Sequence, residues 1–329
     1  MACIAPELEI LSLGAPQQFR HLALFPLLHP APRAPFYLTL DEALAQGAAQ
    51  VTEVSGAARV PELCLVTKGD RPVLLLDGEE LIGAKQNRVL NLTVLAPARG
   101  ELTIPVSCVE QGRWATVSDS FRAAPRVQYA AGRAAKAASV GANLAAGRGA
   151  VSDQGAVWAN IAGKSARMCF ASETNAMADL YQHAAADLDG YLRAFTALPG
   201  QAGAVFALAG RVVGLEVLYS PDTFATLLPK LIQSYALDAI EIPGDRSPLP
   251  PPDSAVSLLR HVAAAEARES PGIGLGQTLR LETSTTVGTG LLYEAALIHL
   301  AAFRTDGDGL RNPSATGSGI QRASRRFRA

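Results

Sequence analysis

Glu62-Leu63-Cys64-Leu65-Val66-Thr67-Lys68-Gly69-Asp70-Arg71-Pro72-Val73-Leu74-Leu75-Leu76 reads as two short apolar strands about a turn. Glycine tolerates positive φ and aspartate favours turns, so 68–71 reverses the chain. The next run, 88–95, alternates: Leu90, Leu92 and Val94 share one face, Asn91 and Thr93 the other. Residues 97–100 turn the chain again, and 102–108 forms a fourth strand. Together these runs predict an antiparallel meander.

Working outward, the apolar run 22–28 lies between His21 and His29. Pro26 cannot donate to a ladder, which predicts an edge strand or a strand ending at Phe25. Thr39-Leu40-Asp41-Glu42 is a capping box and predicts a short helix from Leu40 to about Gln46, with Gly47 as its left-handed stop. Alanine dominates 129–148 and predicts helix, interrupted at Gly132, Gly141 and Gly147. Met177, Leu180, Tyr181, Ala184, Leu188, Tyr191, Leu192 and Phe195 fall at helical spacing. Residues 204–209 and 211–219 predict a hairpin about Gly210, and Ser220-Pro221-Asp222 opens a helix. A helix over 255–269 and a strand over 295–303 follow the proline-rich loop 244–253. The fold class is therefore α+β, with mainly antiparallel sheets and a helical middle packed against them. We read 1–303 as a single unit: β-rich over 1–122, helical over 123–200 and mixed over 201–303. Residues 304–329, rich in glycine, serine and arginine, predict a disordered basic tail.

The chain has 329 residues, 49% of them apolar, which suffices for a sizeable core. A formal net charge of −1 gives no sign of a nucleic-acid or membrane-surface partner. Cys3, Cys64, Cys108 and Cys169 are widely spaced, and the five histidines show no HxH or HExxH pattern. Neither a disulfide framework nor a metal site is expected, and no cofactor is indicated. The first residues lack a basic and then apolar leader, and no apolar run reaches the roughly 18 residues of a spanning helix. These features point to the cytoplasm; they leave the oligomeric state open.

In a meander, the second strand ends where the third begins, and the fourth ends at that same edge. The polar segments 77–88 and 108–114 should therefore meet there. The eleven residues of 77–87 exceed the about two to five that a hairpin turn needs, which marks a candidate binding loop. Glu79, Glu80 and Glu110 are candidate acid/base carboxylates, or else solvated charges paired with nearby cations. Cys108 is a candidate nucleophile or a small core residue; no histidine is close in sequence, though His299 lies on a strand that could join the sheet. Lys85, Gln86, Asn87, Arg88 and Arg113 are candidate ligand-binding residues, the guanidinium groups suited to phosphate. Trp114 is a candidate stacking platform or a core residue. The Gly272-Ile273-Gly274-Leu275-Gly276 run lacks the dinucleotide spacing.

Leu76-Asp77-Gly78-Glu79-Glu80, Gly83, Gln86-Asn87-Arg88 and Ile104-Pro105-Val106-Ser107-Cys108-Val109-Glu110-Gln111-Gly112-Arg113-Trp114 together resemble the ARG-and-rhodanese-phosphatase-superfamily-associated domain family. The resemblance runs across 75–114 and extends over 5–303. Where that family has a second glycine before the glutamine, this chain has Ala84-Lys85. The family name refers to gene neighbours that include ADP-ribosylglycohydrolases. The resemblance thus implies an association with ADP-ribose or nucleotide metabolism and a phosphate-containing small molecule as partner, without specifying a reaction. The expected function is binding, with hydrolysis as a candidate activity; a non-catalytic interaction or structural module is the alternative.

Overall fold

The computed structural model describes residues 4–31, 33–54 and 61–305. The protein is α+β, mainly antiparallel, and among the described residues the strands form three sheets. The first is a closed six-stranded barrel. Around it run Glu101–Cys108, Glu62–Thr67, Ala49–Glu53, Phe121–Val127, Glu79–Gly83 and Arg88–Leu90, the last pairing back to the first. The second is a small sheet of Val94–Ala96, Val73–Leu75 and Leu38–Thr39. The third has nine strands. Ser12–Leu13 and Gln17–Phe19 both pair with Leu22–Leu28, followed by Gln201–Leu208, Arg211–Leu218, Ala296–Arg304, Thr286–Tyr293, Gln277–Glu282 and Ala267–Pro271.

Three apolar clusters follow from this arrangement. Leu65, Leu81, Leu90 and Val106 belong to the barrel's cluster. Val89, Tyr129, Met177, Leu231 and Phe303 belong to a cluster between barrel, helices and one face of the large sheet. The opposite face of that sheet packs on Leu258 and Val262 of the helix Pro252–Ala264. The helix Pro221–Ala239 lies against both Phe121–Val127 and Gln201–Leu208, bridging barrel and sheet.

Several local expectations hold. The Thr39–Glu42 capping box closes both of its bonds at the start of Leu40–Ala45, and Gly47 follows at φ 67. The hairpin of Gln201–Leu208 and Arg211–Leu218 turns at Gly210, and Ser220 caps Pro221–Ala239. The strand predicted over 295–303 is Ala296–Arg304.

The meander does not form as predicted. Glu62–Thr67 pairs with Glu101–Cys108 and Ala49–Glu53, while Val73–Leu75 pairs with Val94–Ala96 in the small sheet. The predicted strand 88–95 divides at 91–93, where buried side chains find distant partners. Asn91 donates to the Ala150 carbonyl and accepts from Ser107; Thr93 accepts from the Asp77 N–H and meets His299. Those side-chain bonds let the backbone leave one sheet for another.

Other differences are local. Leu22–Leu28 continues through Pro26 and is not an edge. The short strands beside it cover only Leu22–Leu24 and Leu27–Leu28, so no neighbour needs the missing N–H, and the Pro26 carbonyl accepts from Gly14. Ala130–Ala145 runs unbroken through Gly132 and Gly141. A Cβ at Gly132 would come within 2.9 Å of Tyr129, so this glycine serves a close approach. The long helix predicted from Met177 breaks at Ala184 into Met177–His183 and Ala185–Ala194. The helix predicted over 255–269 ends at Ala264, and Ala267–Pro271 is a strand. Helix Gln154–Arg167 falls inside the part read as helical, 123–200, where the sequence analysis gave it no bounds of its own. Arg304 ends a strand and the Thr305 N–H donates to Thr285, so the first two residues of the predicted tail belong to the sheet; the rest lies outside the described residues.

Candidate functional site

The two polar segments meet. Cys108 lies opposite Arg88 in the ladder, and the Val109 N–H donates to the Asn87 carbonyl. Gln86 donates through Nε2 to the Glu110 carbonyl at 3.0 Å, and the Asn87 N–H donates to Glu110 Oε2 at 3.1 Å. The segment 77–87 is not the open loop that was expected. Asp77 and Gly78 form a turn, Glu79–Gly83 is a barrel strand, and 84–87 turns again. Ala84 takes φ 42, a left-handed conformation that costs an alanine on the order of 1 kcal/mol.

The carboxylates of this strand are buried, not solvated. Glu79 accepts from Lys230 Nζ at 2.7 Å and from the Leu76 N–H at 2.8 Å. Lys230 also reaches Asp41 at 2.5 Å. Glu80 accepts from Arg126 Nε at 2.5 Å through Oε2, while its buried Oε1 has no partner. Burial raises the Glu80 carboxyl above the usual glutamate range, and Arg126 only partly offsets this. A raised carboxyl contributes its full stability below the unfolded value and loses it as pH rises through the folded one. Glu80→Gln should therefore be less destabilising at pH 7 than at pH 4, read as a stability difference from wild type by chemical denaturation at both pH values. A difference that grows more unfavourable with pH would contradict this assignment.

Arg113 donates to Glu110 Oε2 at 2.7 Å, Asn87 Oδ1 at 3.1 Å, and the carbonyls of Gly83, Ala84 and Ala115. Both of its Nη nitrogens are taken up by the protein. Lys85 sits over the Trp114 ring at 5.4 Å, and Trp114 is 55% exposed, so it is not a core residue. Cys108 is fully buried, its thiol donating to Gln86 Oε1 at 3.3 Å and the Glu110 carbonyl at 3.4 Å. His299 is bonded elsewhere: Nδ1 meets Thr93 at 2.8 Å and Nε2 meets Glu216 at 3.2 Å. It reaches the start of the polar segment through Thr93 and Asp77, and serves no base role at Cys108.

The site residues divide between two faces of the barrel wall. Leu81 and Cys108 lie opposite Arg88 in the two ladders and share its face, together with Leu90 of the barrel cluster. Glu80 lies opposite Val89, which belongs to the cluster under the helices. On that outer side, a groove of about 530 Å³ runs between the barrel and the helices Met177–His183 and Ala185–Ala194. Asn87, Arg122, Arg126, Tyr181, Gln182, Asp189 and Gln233 supply its polar lining, so two cations and one carboxylate face it. Arg126 also lies over the Tyr181 ring at 5.2 Å. The sequence reading missed Arg122, Arg126 and Lys230. One signal was present: Arg122 and Arg126 are four apart in a strand-like run, a spacing that places two cations on one face.

The Gly272–Gly276 run makes close backbone contacts. A Cβ at Gly274 would lie 2.2 Å from the Leu95 carbonyl oxygen, and the Leu275 N–H donates to that oxygen. Among the described residues no group of three or more His, Cys, Asp or Glu could hold a metal ion, and no helix is long and apolar enough to cross a membrane.

The fold and site define an α+β class of protein in which a closed six-stranded barrel is joined to a nine-stranded sheet, with a polar groove on the barrel's outer wall. The family model described as the ARG and Rhodanese-Phosphatase-superfamily-associated Protein domain matches residues 10–303, and the chain belongs to that family. No curated protein and no solved structure matches it.

Proposed function

We propose that the protein binds a small phosphate-bearing organic molecule, of nucleotide or ADP-ribose type, in the groove on the barrel's outer wall. The observation that carries this reading is the pairing of Arg122 and Arg126 on one wall of a groove of about 530 Å³. That volume is within the roughly 300–1,000 Å³ usual for small-molecule sites. Asn87, Gln182 and Gln233 add amide donors and acceptors, and Leu188 and Leu192 add apolar surface. Hydrolysis is the reaction that Glu80 suits: it lies behind Arg126, burial favours its protonated form, and one oxygen is free. A cytoplasmic location accords with a ligand of this class.

Thermal shift and calorimetry with ADP-ribose, AMP, ribose 5-phosphate and inorganic phosphate test the reading. At least one organic phosphate should raise the melting temperature, and Arg122→Gln should weaken its binding about ten-fold or more, as loss of a charge-assisted contact does. Arg122 is exposed, so the substitution leaves the fold intact. A panel without any shift, or unchanged affinity in the variant, would overturn it.

One observation favours a second reading, a non-catalytic interaction module. Trp114 and Val117 are 55% and 64% exposed on the same segment, as anchors of a protein interface would be. In that case the groove stays empty and Trp114→Ser abolishes partner binding.

A further inference from the structure

Arg88 differs from the other cations of the two polar segments. Its side chain is fully buried. Nη1 is anchored by Gln86 Oε1 at 3.0 Å and the Asn87 carbonyl at 3.4 Å. Gln86 is itself anchored on the Glu110 carbonyl. Nε and Nη2 meet no acceptor. These two nitrogens lie along one edge of the guanidinium plane and carry the parallel N–H pair that grips a carboxylate or phosphate side-on. Buried donors are nearly always bonded, and an unpaired charged donor is among the costliest groups to bury.

The fork belongs to the barrel's inner face, which separates it from the groove. Arg88 lies opposite Leu81 in one ladder and opposite Cys108 in the other. At the end of the strand Ala49–Glu53, Glu53 Oε2 is buried and equally without a partner. Glu53 Oε1 accepts from the Lys85 N–H at 3.4 Å, which ties it to the turn before Arg88. Glu53 is close enough for Arg88 to feel its charge. The polar end of the barrel thus holds an unfilled fork of donors and an unfilled acceptor.

We propose that this end of the barrel is a second binding site, in which the Arg88 fork takes a small oxyanion, carboxylate or phosphate, and Glu53 accepts a hydrogen from a hydroxyl or ammonium group of the same ligand. The site stands independently of the groove. Both fork nitrogens are out of contact with solvent, so the ligand enters when the wall around them opens. The segment 111–119 is pinned to the preceding turn by Arg113 and Ser118, is largely exposed, and contains no helix or extended strand.

Full-length protein carrying 15N-arginine is titrated with inorganic phosphate, acetate and lactate, following the arginine Nε–H resonances. In wild type, one resonance shifts on addition of a small oxyanion, and that resonance is absent from Arg88→Lys, which keeps the charge and loses the fork. Arg122→Gln retains the response, which separates this site from the groove. Lactate, with its hydroxyl, binds more tightly than acetate, and Glu53→Gln reduces the lactate affinity about ten-fold towards that of acetate. The lactate-to-acetate comparison in Glu53→Gln carries the test should Arg88→Lys fail to fold. No shift with any of the three anions, a response that survives in Arg88→Lys, or equal lactate affinity in Glu53→Gln and wild type would overturn the proposal.

Discussion

Arg133→Met should destabilise the fold by about 3–5 kcal/mol, measured by chemical denaturation at neutral pH. Arg133 is fully buried and holds two carboxylates from different parts of the molecule. It meets Glu216 through a fork, with Nη1 to Oε1 at 2.5 Å and Nη2 to Oε2 at 3.3 Å, and Asp77 through Nε at 3.3 Å. Burial alone would lower its pKa, but Glu216 and Asp77 outweigh that and hold it above the ordinary arginine value. Lys136 meets Asp77 at 2.9 Å, so two cations balance two anions. His299 and Tyr235 complete the shell around Glu216. With Arg133 removed, one cation remains for two buried carboxylates, and among the described residues Glu216 keeps no ion-pair partner but His299, which is charged only if protonated. Asp77 precedes the barrel strand Glu79–Gly83, Arg133 and Lys136 come from Ala130–Ala145, and Glu216 and His299 come from the large sheet. Arg133→Lys should recover only part of the loss, because an ammonium cannot span both oxygens as the fork does. A loss below about 1 kcal/mol would mean that surrounding groups compensate for the missing charge.

Arg113→Met should cost about 3 kcal/mol, near the lower end of the range for breaking a buried pair. Its side chain is 16% exposed and that of Glu110 is 9%, so solvent softens the penalty. The double substitution Glu110→Leu/Arg113→Met separates two contributions. If the ion pair dominates, the double mutant regains near-normal stability. The structure predicts only partial recovery, because the carbonyls of Gly83, Ala84 and Ala115 still lose their donor. Full recovery would show that the three carbonyl contacts contribute little. Arg113 thereby holds the turn 84–87 against the segment that leaves the barrel.

The unlike fates of Arg113 and Arg88 show what a sequence conveys about such a site. Both arginines flank short polar segments, and both looked equally fit to clamp phosphate. Short connections and strand polarity were enough to bring their segments together, even though one supposed neighbour, Val73–Leu75, sits in another sheet. The direction of each side chain and the acceptors it meets depend on register. Arg88 faces inward because it lies opposite Leu81 and Cys108; Arg113 follows a bend and finds backbone carbonyls. Likewise, Glu79 and Glu80 read as loop charges because their partners, Lys230 and Arg126, are far along the chain.

By itself the sequence determined the elements whose signals are local. Such signals act within a few residues: the Thr39–Glu42 capping box, the Gly210 hairpin, the Ser220 cap and the period-two and helical stripes. The α+β class followed from them. Tertiary structure alone decided barrel closure, the division of 88–95 between two sheets, and which buried charges are paired. Each of these depends on contacts between distant segments, such as Thr93 with His299 and Arg133 with Glu216. A buried charge must find its counter-charge wherever the packed chain places it, and no local pattern encodes that location.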